Sequence, residues 1–126
     1  MTTDNSQRRV LLVEDEACLA MMLQDLLEDA GYEVIKAARV PAALRMAQGE
    51  PIDAAILDVN VAGTEVFPVA DELRERGVPF MFASGYGERG LPGEYRDFPI
   101  LQKPYDPAAL GTMLRTVLAT PTSRAS

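Results

Sequence analysis

Short apolar runs and amphipathic segments alternate along this chain. The runs at 10–13 and 54–57 contain no polar residue, which is typical of strands buried on both faces of a parallel sheet. A more alternating run at Tyr32–Ala37 is typical of an edge strand. The pattern predicts five strands, at Arg9–Glu14, Tyr32–Ala37, Ile52–Asp58, Pro79–Ser84 and Phe98–Gln102.

Between the strands, apolar residues recur at the three- and four-residue spacing of amphipathic helices. The first helix has one apolar face, formed by Leu19, Met22, Leu23, Leu26, Leu27 and Ala30. Gly31 is suited to end this helix, because glycine adopts the left-handed conformation found after helix C-termini. Further helices are predicted at Val40–Gln48, at Thr64–Arg76, which Gly77 ends, and after Asp106, which caps the last one.

The alternation of strands and helices predicts the fold class. Continuous apolar strands separated by amphipathic helices form parallel sheets whose two faces are both covered by helices. At 126 residues the chain suits one domain, so we expect a doubly wound α/β fold with a five-stranded parallel sheet. We expect residues 8–119 to form this domain, and the polar segments 1–7 and 120–126 to be a disordered N-terminus and a disordered tail.

One segment, Ser84–Arg96, departs from the alternation. It is rich in glycine and contains Pro92. Each glycine weakens a helix interior by roughly 0.8–1 kcal/mol, and a proline weakens it by about 3 kcal/mol. The fourth helix is therefore predicted to be short or mobile.

Composition narrows the range of partners. The formal net charge is −7 and no basic patch offsets it, which argues against binding to nucleic acid or to anionic membranes. No apolar stretch approaches the roughly 18 residues of a membrane span.

The single cysteine, Cys18, excludes an intramolecular disulfide and is interpreted as a small packing residue. The chain has no histidine, so histidine-based catalysis is excluded. The single cysteine and the lack of a long apolar stretch favour a soluble cytoplasmic protein.

Polar residues of defined chemistry follow the apolar strands at their C-terminal ends. These residues are Glu14, Asp15, Asp58, Ser84 and Lys103. Each has an ordinary explanation by itself, because acids begin helices, aspartate and serine occur in turns, and lysine is common at surfaces. Since parallel strands end at one edge of a sheet, however, these side chains are expected to meet in one crevice.

These side chains have the chemistry of a metal-dependent phosphoryl acceptor. Mg²⁺, or Mn²⁺ in its place, prefers hard oxygen ligands. Asp15 and Asp58 are suited to bind the cation directly and Glu14 through a water molecule, and the backbone carbonyl of Asn60 adds a further ligand. The cation and Lys103 would offset the repulsion between the carboxylates, so that Asp58 is ionised and attacks phosphorus as a nucleophile.

Four motifs carry these residues, LLVEDE (Leu11–Glu16), AILDVN (Ala55–Asn60), FASGYG (Phe82–Gly87) and LQKPY (Leu101–Tyr105). They resemble the motifs of the response regulator receiver domains of bacterial two-component systems, in the CheY-like superfamily. The resemblance implies the strand order 2-1-3-4-5, with Asp58 as the phosphoacceptor, Ser84 as a switch hydroxyl and Lys103 as the cation that contacts the phosphate. It also implies a cis peptide bond before Pro104, against a general frequency of about 5–6% for bonds that precede proline.

The chain departs from the usual receiver pattern at two positions. Receivers usually carry an aromatic switch residue three positions before the lysine, where this chain has Ile100. They also commonly carry a proline four positions after the phosphoacceptor, where it has Ala62. The FASGY sequence is similar to a subgroup of single-domain receivers with a Phe-Ala-Thr-Gly-Tyr signature, the FAT-GUY type. Tyr86 in this sequence either takes over the aromatic switch role or only shields the crevice.

The resemblance implies a stand-alone receiver that takes a phosphoryl group from a histidine kinase or a histidine phosphotransfer protein. It would signal through contacts with a downstream protein or drain phosphoryl groups from the kinase, and it is not expected to be a multiple-turnover enzyme. The missing aromatic at Ile100 keeps a second hypothesis open, that of an interaction protein that works without phosphorylation. A third, a small aspartyl-phosphate phosphohydrolase, is disfavoured because Asn60 stands where such enzymes usually need a second acid.

Overall fold

The computed structural model describes residues 8–84, 91–95, 98–102 and 107–119. The main sheet consists of strands β1 (Arg9–Val13), β2 (Glu33–Ala37), β3 (Ala54–Asp58), β4 (Phe80–Ser84) and β5 (Ile100–Gln102). The helices are α1 (Ala17–Asp29), α2 (Val40–Gly49), α3 (Phe67–Glu75) and α4 (Pro107–Ala119). Among the residues described, no helix is long and apolar enough to cross a membrane. The predicted ends 1–7 and 120–126, and the predicted site residues Tyr86, Lys103 and Pro104, lie outside the described residues.

The strands of the main sheet lie in the order β2-β1-β3-β4-β5, and all of them pair in parallel. This is the order 2-1-3-4-5 that the family resemblance implies, so the predicted doubly wound α/β fold is confirmed. The direction of winding reverses between β1 and β3, because the chain first moves outward to β2 and then crosses back past β1. Such a reversal opens a crevice at the C-terminal ends of the two strands.

Alternate side chains of the strands enter two separate apolar cores. On one face of the sheet, Leu12 and Ile56 pack with α1 and α4. On the other face, Leu11 and Leu57 pack with α2 and α3. Both faces of the central strands are therefore buried, as their apolar runs predict, and polar side chains are confined to the strand ends.

Helix α1 buries a narrower face than the sequence pattern predicts. Leu23 is buried as expected, but Met22 is 38% exposed and Ala30 is exposed just after the helix, whereas Ala20 is buried instead. Successive helical residues are about 100° apart, so a neighbour of a buried residue can point to solvent. The predicted inward orientation of Met22 and Ala30 is therefore wrong. The interpretation of Cys18 as a packing residue is also wrong, because its side chain is exposed on the same helix.

The segment before α3 forms a hairpin and not the start of the helix. The sequence pattern predicts a helix from Thr64, but Asn60–Val61 pairs antiparallel with Thr64–Glu65, and α3 begins at Phe67. The connecting residues 62–63 have φ values of 53° and 84°. Positive φ at both central residues is the pattern of a type I′ turn, which joins two antiparallel strands tightly. The predicted helix start is therefore three residues too early.

The described part of the glycine-rich segment contains one short 3₁₀ turn, at Gly93–Tyr95. Leu91 and Tyr95 are both buried in the core on the α3 side of the sheet. Within residues 91–95, this single turn takes the place of a regular fourth helix. It agrees with the short fourth helix that the glycine and proline content predicts.

Candidate functional site

The pairing register brings the acidic ends of β1 and β3 level with each other. Val13 pairs with Leu57, so the residues that follow, Glu14 and Asp58, lie side by side at the C-terminal edge of the sheet. Their side chains are largely buried, with Glu14 4% exposed and Asp58 7% exposed, whereas Asp15 is exposed. The edge therefore carries two buried carboxyl groups and one that faces solvent.

Glu14, Asp15 and Asp58 form a cluster of carboxylates. One carboxylate oxygen from each residue lies within 4.8 Å of the corresponding oxygens of the other two. Charges of the same sign at this separation repel each other unless a cation lies between them. Three converging hard oxygen donors are suited to Mg²⁺ or Mn²⁺, which keeps water molecules in its remaining positions. The structure thus brings together the three acids that the sequence places at one sheet edge, and they fit a divalent cation.

Backbone contacts orient Glu14 within this cluster. Its N–H donates a hydrogen bond to the carbonyl oxygen of Ala37 on β2 at 3.1 Å. Its Oε2 accepts a hydrogen bond from the N–H of Glu16 at 3.1 Å. Glu16 immediately precedes α1, and in the described structure its own side chain makes no capping hydrogen bond. The Glu14 carboxylate therefore satisfies a backbone donor at the start of α1, so both the sheet and the helix hold it in place.

Ser84 ends β4 one residue beyond the level of Asp58. Asp58 pairs with Ala83, the residue just before Ser84. Ser84 is buried, and on its other side it pairs with Gln102, the last residue of β5. The hydroxyl-bearing residue therefore lies on the strand next to Asp58, at the same edge of the sheet. Lys103, which follows Gln102 in the chain, is beyond the described residues.

The loop that follows β3 is closed by hydrogen bonds. The N–H of Val66 donates to the carbonyl oxygen of Val59 at 3.0 Å. The N–H of Gly63 donates to Oδ1 of Asn60, also at 3.0 Å. Val61 and Val66 are fully buried in the core beside α3. The backbone that carries Asn60 is therefore anchored on both sides.

A buried tyrosine that the sequence pattern does not reveal lies on the α3 side of the sheet. Ile100, where receivers usually carry the aromatic switch, is half-buried against this core. Tyr95 is fully buried, and its ring centroid lies 5.2 to 6.0 Å from four other ring centroids, those of Phe67, Phe80, Phe82 and Phe98. The available signal was the helical spacing of Leu91 and Tyr95, four residues apart within the glycine-rich segment.

Tyr95 ties the 3₁₀ turn to α3. Its hydroxyl donates a hydrogen bond to Oδ1 of Asp71, and the guanidinium carbon of Arg74 lies 5.4 Å from the ring centroid. Nη1 of Arg74 also lies 4.0 Å from Oε2 of Glu94 in the turn. Burial, and after it the hydrogen bond to Asp71, raises the pKa of the Tyr95 hydroxyl above its ordinary value. The hydroxyl therefore stays protonated and continues to donate its hydrogen bond to Asp71 on α3.

The chain matches the family model of the response regulator receiver domain over residues 10–115. It is 32% identical over 121 residues to the probable transcriptional regulator ycf27 of Pyropia yezoensis. The aligned region covers 91% of this chain and 49% of that protein. It is 34% identical over 115 residues to the phyllosphere-induced regulator PhyR of Methylorubrum extorquens, which covers 86% of this chain and 43% of that protein. The chain thus spans about half the length of the curated relatives it matches.

Solved structures extend the comparison to the fold. The solution structure of SdrG from Sphingomonas melonis Fr1 is 37% identical, with a TM-score of 0.81, and the match covers 93% of this chain and 100% of that chain. The receiver domain of Erythrobacter litoralis PhyR is 26% identical, also with a TM-score of 0.81, over 93% of this chain and 94% of that chain.

The narrower FAT-GUY assignment stays a prediction. From its sheet order, its acidic crevice and the family model that spans most of its length, the chain belongs to the response regulator receiver domain family.

Proposed function

We propose that this receiver domain accepts a phosphoryl group on Asp58 from a phosphohistidine of a histidine kinase or a histidine phosphotransfer protein. The observation that carries the proposal is the convergence of Glu14, Asp15 and Asp58 within 4.8 Å at the end of parallel strands. Membership of the receiver family supports it, because the family match includes all three acids. The net charge of −7 supports a protein partner over nucleic acid or a membrane.

Transfer requires attack on phosphorus by an ionised oxygen of Asp58. The new bond joins this oxygen to phosphorus, while the bond between phosphorus and the histidine nitrogen breaks. That nitrogen keeps the electron pair, which leaves a neutral imidazole when the other ring nitrogen carries a proton. The products are an aspartyl phosphate and a free histidine, and the reaction consumes no other reactant.

The acidic residues are proposed to hold the divalent cation that the transfer requires. Asp15 and Asp58 would bind it directly, Glu14 would act through a water molecule, and the carbonyl of Asn60 would complete the protein ligands. When bound, the cation supplies positive charge that neutralises the phosphoryl oxygens. Because two of the three carboxylates are buried, solvent screens their repulsion only weakly, and this favours binding of a cation.

Ser84 and Lys103 are proposed to respond to the phosphoryl group. Ser84 ends the strand next to Asp58, where a hydroxyl is suited to donate a hydrogen bond to a phosphoryl oxygen. Lys103 follows β5 in the chain, and an ammonium group there is suited to pair with the same oxygens. Tyr86 comes two residues after Ser84 and is proposed to move with it when the phosphoryl group is present.

The domain is proposed to act through protein contacts or as a phosphate sink, and not as a multiple-turnover enzyme. The relatives ycf27 and PhyR are both described as regulators, and this chain matches about half of each. SdrG is matched over its whole chain. The names of the two regulators support a regulatory role for this domain.

Intact-protein mass spectrometry after incubation with acetyl phosphate and Mg²⁺ tests the proposal. We expect the wild type to gain one phosphoryl group and Asp58→Asn to gain none, because a carboxamide does not attack phosphorus. Asp25→Asn changes an exposed carboxylate on α1 and is the matched control, which should be labelled like the wild type. Equal labelling of the wild type and Asp58→Asn would contradict the role of Asp58.

Ile100 favours one alternative, an interaction protein that works without phosphorylation. Its side chain packs against the core, at the position where receivers usually carry a switching aromatic ring. A folded protein that neither gains a phosphoryl group nor binds beryllofluoride would favour this alternative. The phosphohydrolase hypothesis has less support, because Asn60 is not an acid and its Oδ1 is already bonded to the N–H of Gly63.

A further inference from the structure

The hairpin that follows Asp58 determines where the backbone groups of Asn60 point. In antiparallel strands, residue pairs that exchange hydrogen bonds alternate with pairs whose N–H and C=O groups point away from the partner strand. The N–H of Val66 donates to the carbonyl of Val59 at 3.0 Å, so these two residues form a hydrogen-bonded pair. Asn60 and Glu65 are the next pair. The alternation therefore directs the carbonyl of Asn60 away from Glu65 and to the outer side of the hairpin.

Residues 62–63 close this hairpin in a way that excludes proline. Their φ values of 53° and 84° are both positive, as a type I′ turn requires. The ring of proline holds φ near −65°, so proline cannot occupy position 62 of this turn. The hairpin geometry thus accounts for the absence of proline at position 62, where this chain departs from the usual receiver pattern.

The side chain of Asn60 stabilises the turn. Positive φ at Ala62 is sterically unfavourable for a residue with a Cβ atom, so the turn needs compensating contacts. The hydrogen bond from the N–H of Gly63 to Oδ1 of Asn60, at 3.0 Å, is one such contact. The burial of Val61 in the core is another. The carboxamide oxygen of Asn60 is therefore directed to its own turn.

We propose that the hairpin of residues 59–66 is a positioning element for the divalent cation beside Asp58. The side chain of Asn60 holds the turn, and the turn presents the carbonyl of the same residue to the cation. Asn60 is thus a positioning residue through its side chain, in addition to the ligand role proposed for its carbonyl. This inference rests on the proposed function, because it requires that the acidic cluster binds a cation.

Titration of the unphosphorylated protein with Mg²⁺, followed by the NMR shifts of its backbone amides, tests the positioning role. Asn60→Ala keeps the backbone carbonyl but removes the acceptor for Gly63, and Ala62→Pro is incompatible with positive φ. Both variants are expected to bind Mg²⁺ roughly 10-fold more weakly or worse, as is usual when groups that orient metal ligands are removed. Ala62→Gly accepts positive φ readily and is the matched control, which should keep the wild-type affinity.

The outcomes separate the positioning role from the proposed function. If Asn60→Ala binds Mg²⁺ as tightly as the wild type, the positioning role is overturned while the proposed function stands. If the wild type binds no Mg²⁺, both are overturned. A purely structural role for Asn60 would lower the urea midpoint without changing the Mg²⁺ affinity, so urea unfolding of each variant distinguishes that case. Should Ala62→Pro fail to fold, the comparison between Asn60→Ala and Ala62→Gly decides the question.

Discussion

At the residue scale, the hydroxyl of Tyr95 connects a buried aromatic core to the surface of α3. Its ring packs among all four phenylalanines of the chain, while its hydroxyl donates to the exposed carboxylate of Asp71. A buried hydroxyl without a partner lowers the stability of the fold, so this hydrogen bond offsets the free-energy cost of burying the tyrosine hydroxyl. Because Tyr95 belongs to the 3₁₀ turn within the glycine-rich segment, the bond also ties that turn to α3.

The pH dependence of stability should change in Tyr95→Phe. In the folded protein, burial and Asp71 raise the pKa of Tyr95, whereas in the unfolded chain the pKa returns to about 10. The contribution of the hydroxyl to stability is therefore fully present below a pH of about 10 and is lost as the pH rises above that value. Urea unfolding at a pH of about 8 should show the wild type more stable than Tyr95→Phe by about 1 kcal/mol, and this difference should shrink at a pH of about 11.

Tyr32→Phe is the control for this experiment, because Tyr32 is a half-buried tyrosine that packs on the opposite face of the sheet. A difference between the wild type and Tyr95→Phe that stays constant with pH would contradict the role given to the Asp71 hydrogen bond.

At the scale of elements, the ends of helices follow local rules while the buried faces do not. Gly31 and Gly77 follow α1 and α3 with positive φ values of 97° and 76°, as their positions in the sequence predict. The buried face of α1, in contrast, depends on which side of the helix meets the sheet. Met21 and Met22 are 60% and 38% exposed although both are apolar.

Substitution of neighbouring residues on α1 should reveal this buried face. Leu23→Ala removes a fully buried side chain and leaves a cavity, so it is expected to lower the free energy of unfolding by about 2–5 kcal/mol. Met22→Ala changes a side chain at the edge of the face and is expected to change that free energy by about 0.5 kcal/mol or less. Urea unfolding measures both values, and equal losses in the two variants would show that Met22 is buried in solution.

At the scale of the whole molecule, the strand order assembles the site from residues that are distant in the chain. Glu14, Asp58 and Ser84 each end or follow a different strand, and the order β1-β3-β4 places these strands side by side. The two apolar cores hold the strands in register from both faces. The whole fold, and no single motif, therefore accounts for the close approach of the carboxylates.

Mg²⁺ should raise the melting temperature of the whole domain. A ligand that binds only the folded state stabilises it, by about 2.7 kcal/mol when its concentration is about 100 times its Kd. Asp15→Asn should weaken this response because it removes a carboxylate proposed to bind the cation, and it should raise the melting temperature without Mg²⁺ because it removes a repulsive charge. Thermal unfolding with and without Mg²⁺ measures both effects, with Asp25→Asn as a control away from the cluster. A response that is the same in Asp15→Asn and the wild type would argue against a cation at this cluster.

The amino-acid sequence by itself determined the fold class and which residues form the acidic cluster. The continuous apolar runs of β1 and β3, set between amphipathic helices, are typical of buried strands, and such strands carry polar residues mainly at their ends. Glu14 and Asp58 therefore had to lie where these strands stop. The positions of Gly31 and Gly77 after their helices could equally be predicted from the sequence, because positive φ is a local property of the chain.

Only the tertiary structure decided the hairpin at residues 60–65, the buried face of α1 and the place of Tyr95. Apolar spacing around Val66 fits a helix, but in the folded chain a type I′ turn carries the backbone back along itself, with Val61 and Val66 both fully buried. Tyr95 lies in a segment poor in helical signal, and three of the four phenylalanines around it, Phe67, Phe80 and Phe82, come from other elements of the fold. These contacts join residues that are far apart in sequence, so local patterns do not contain them.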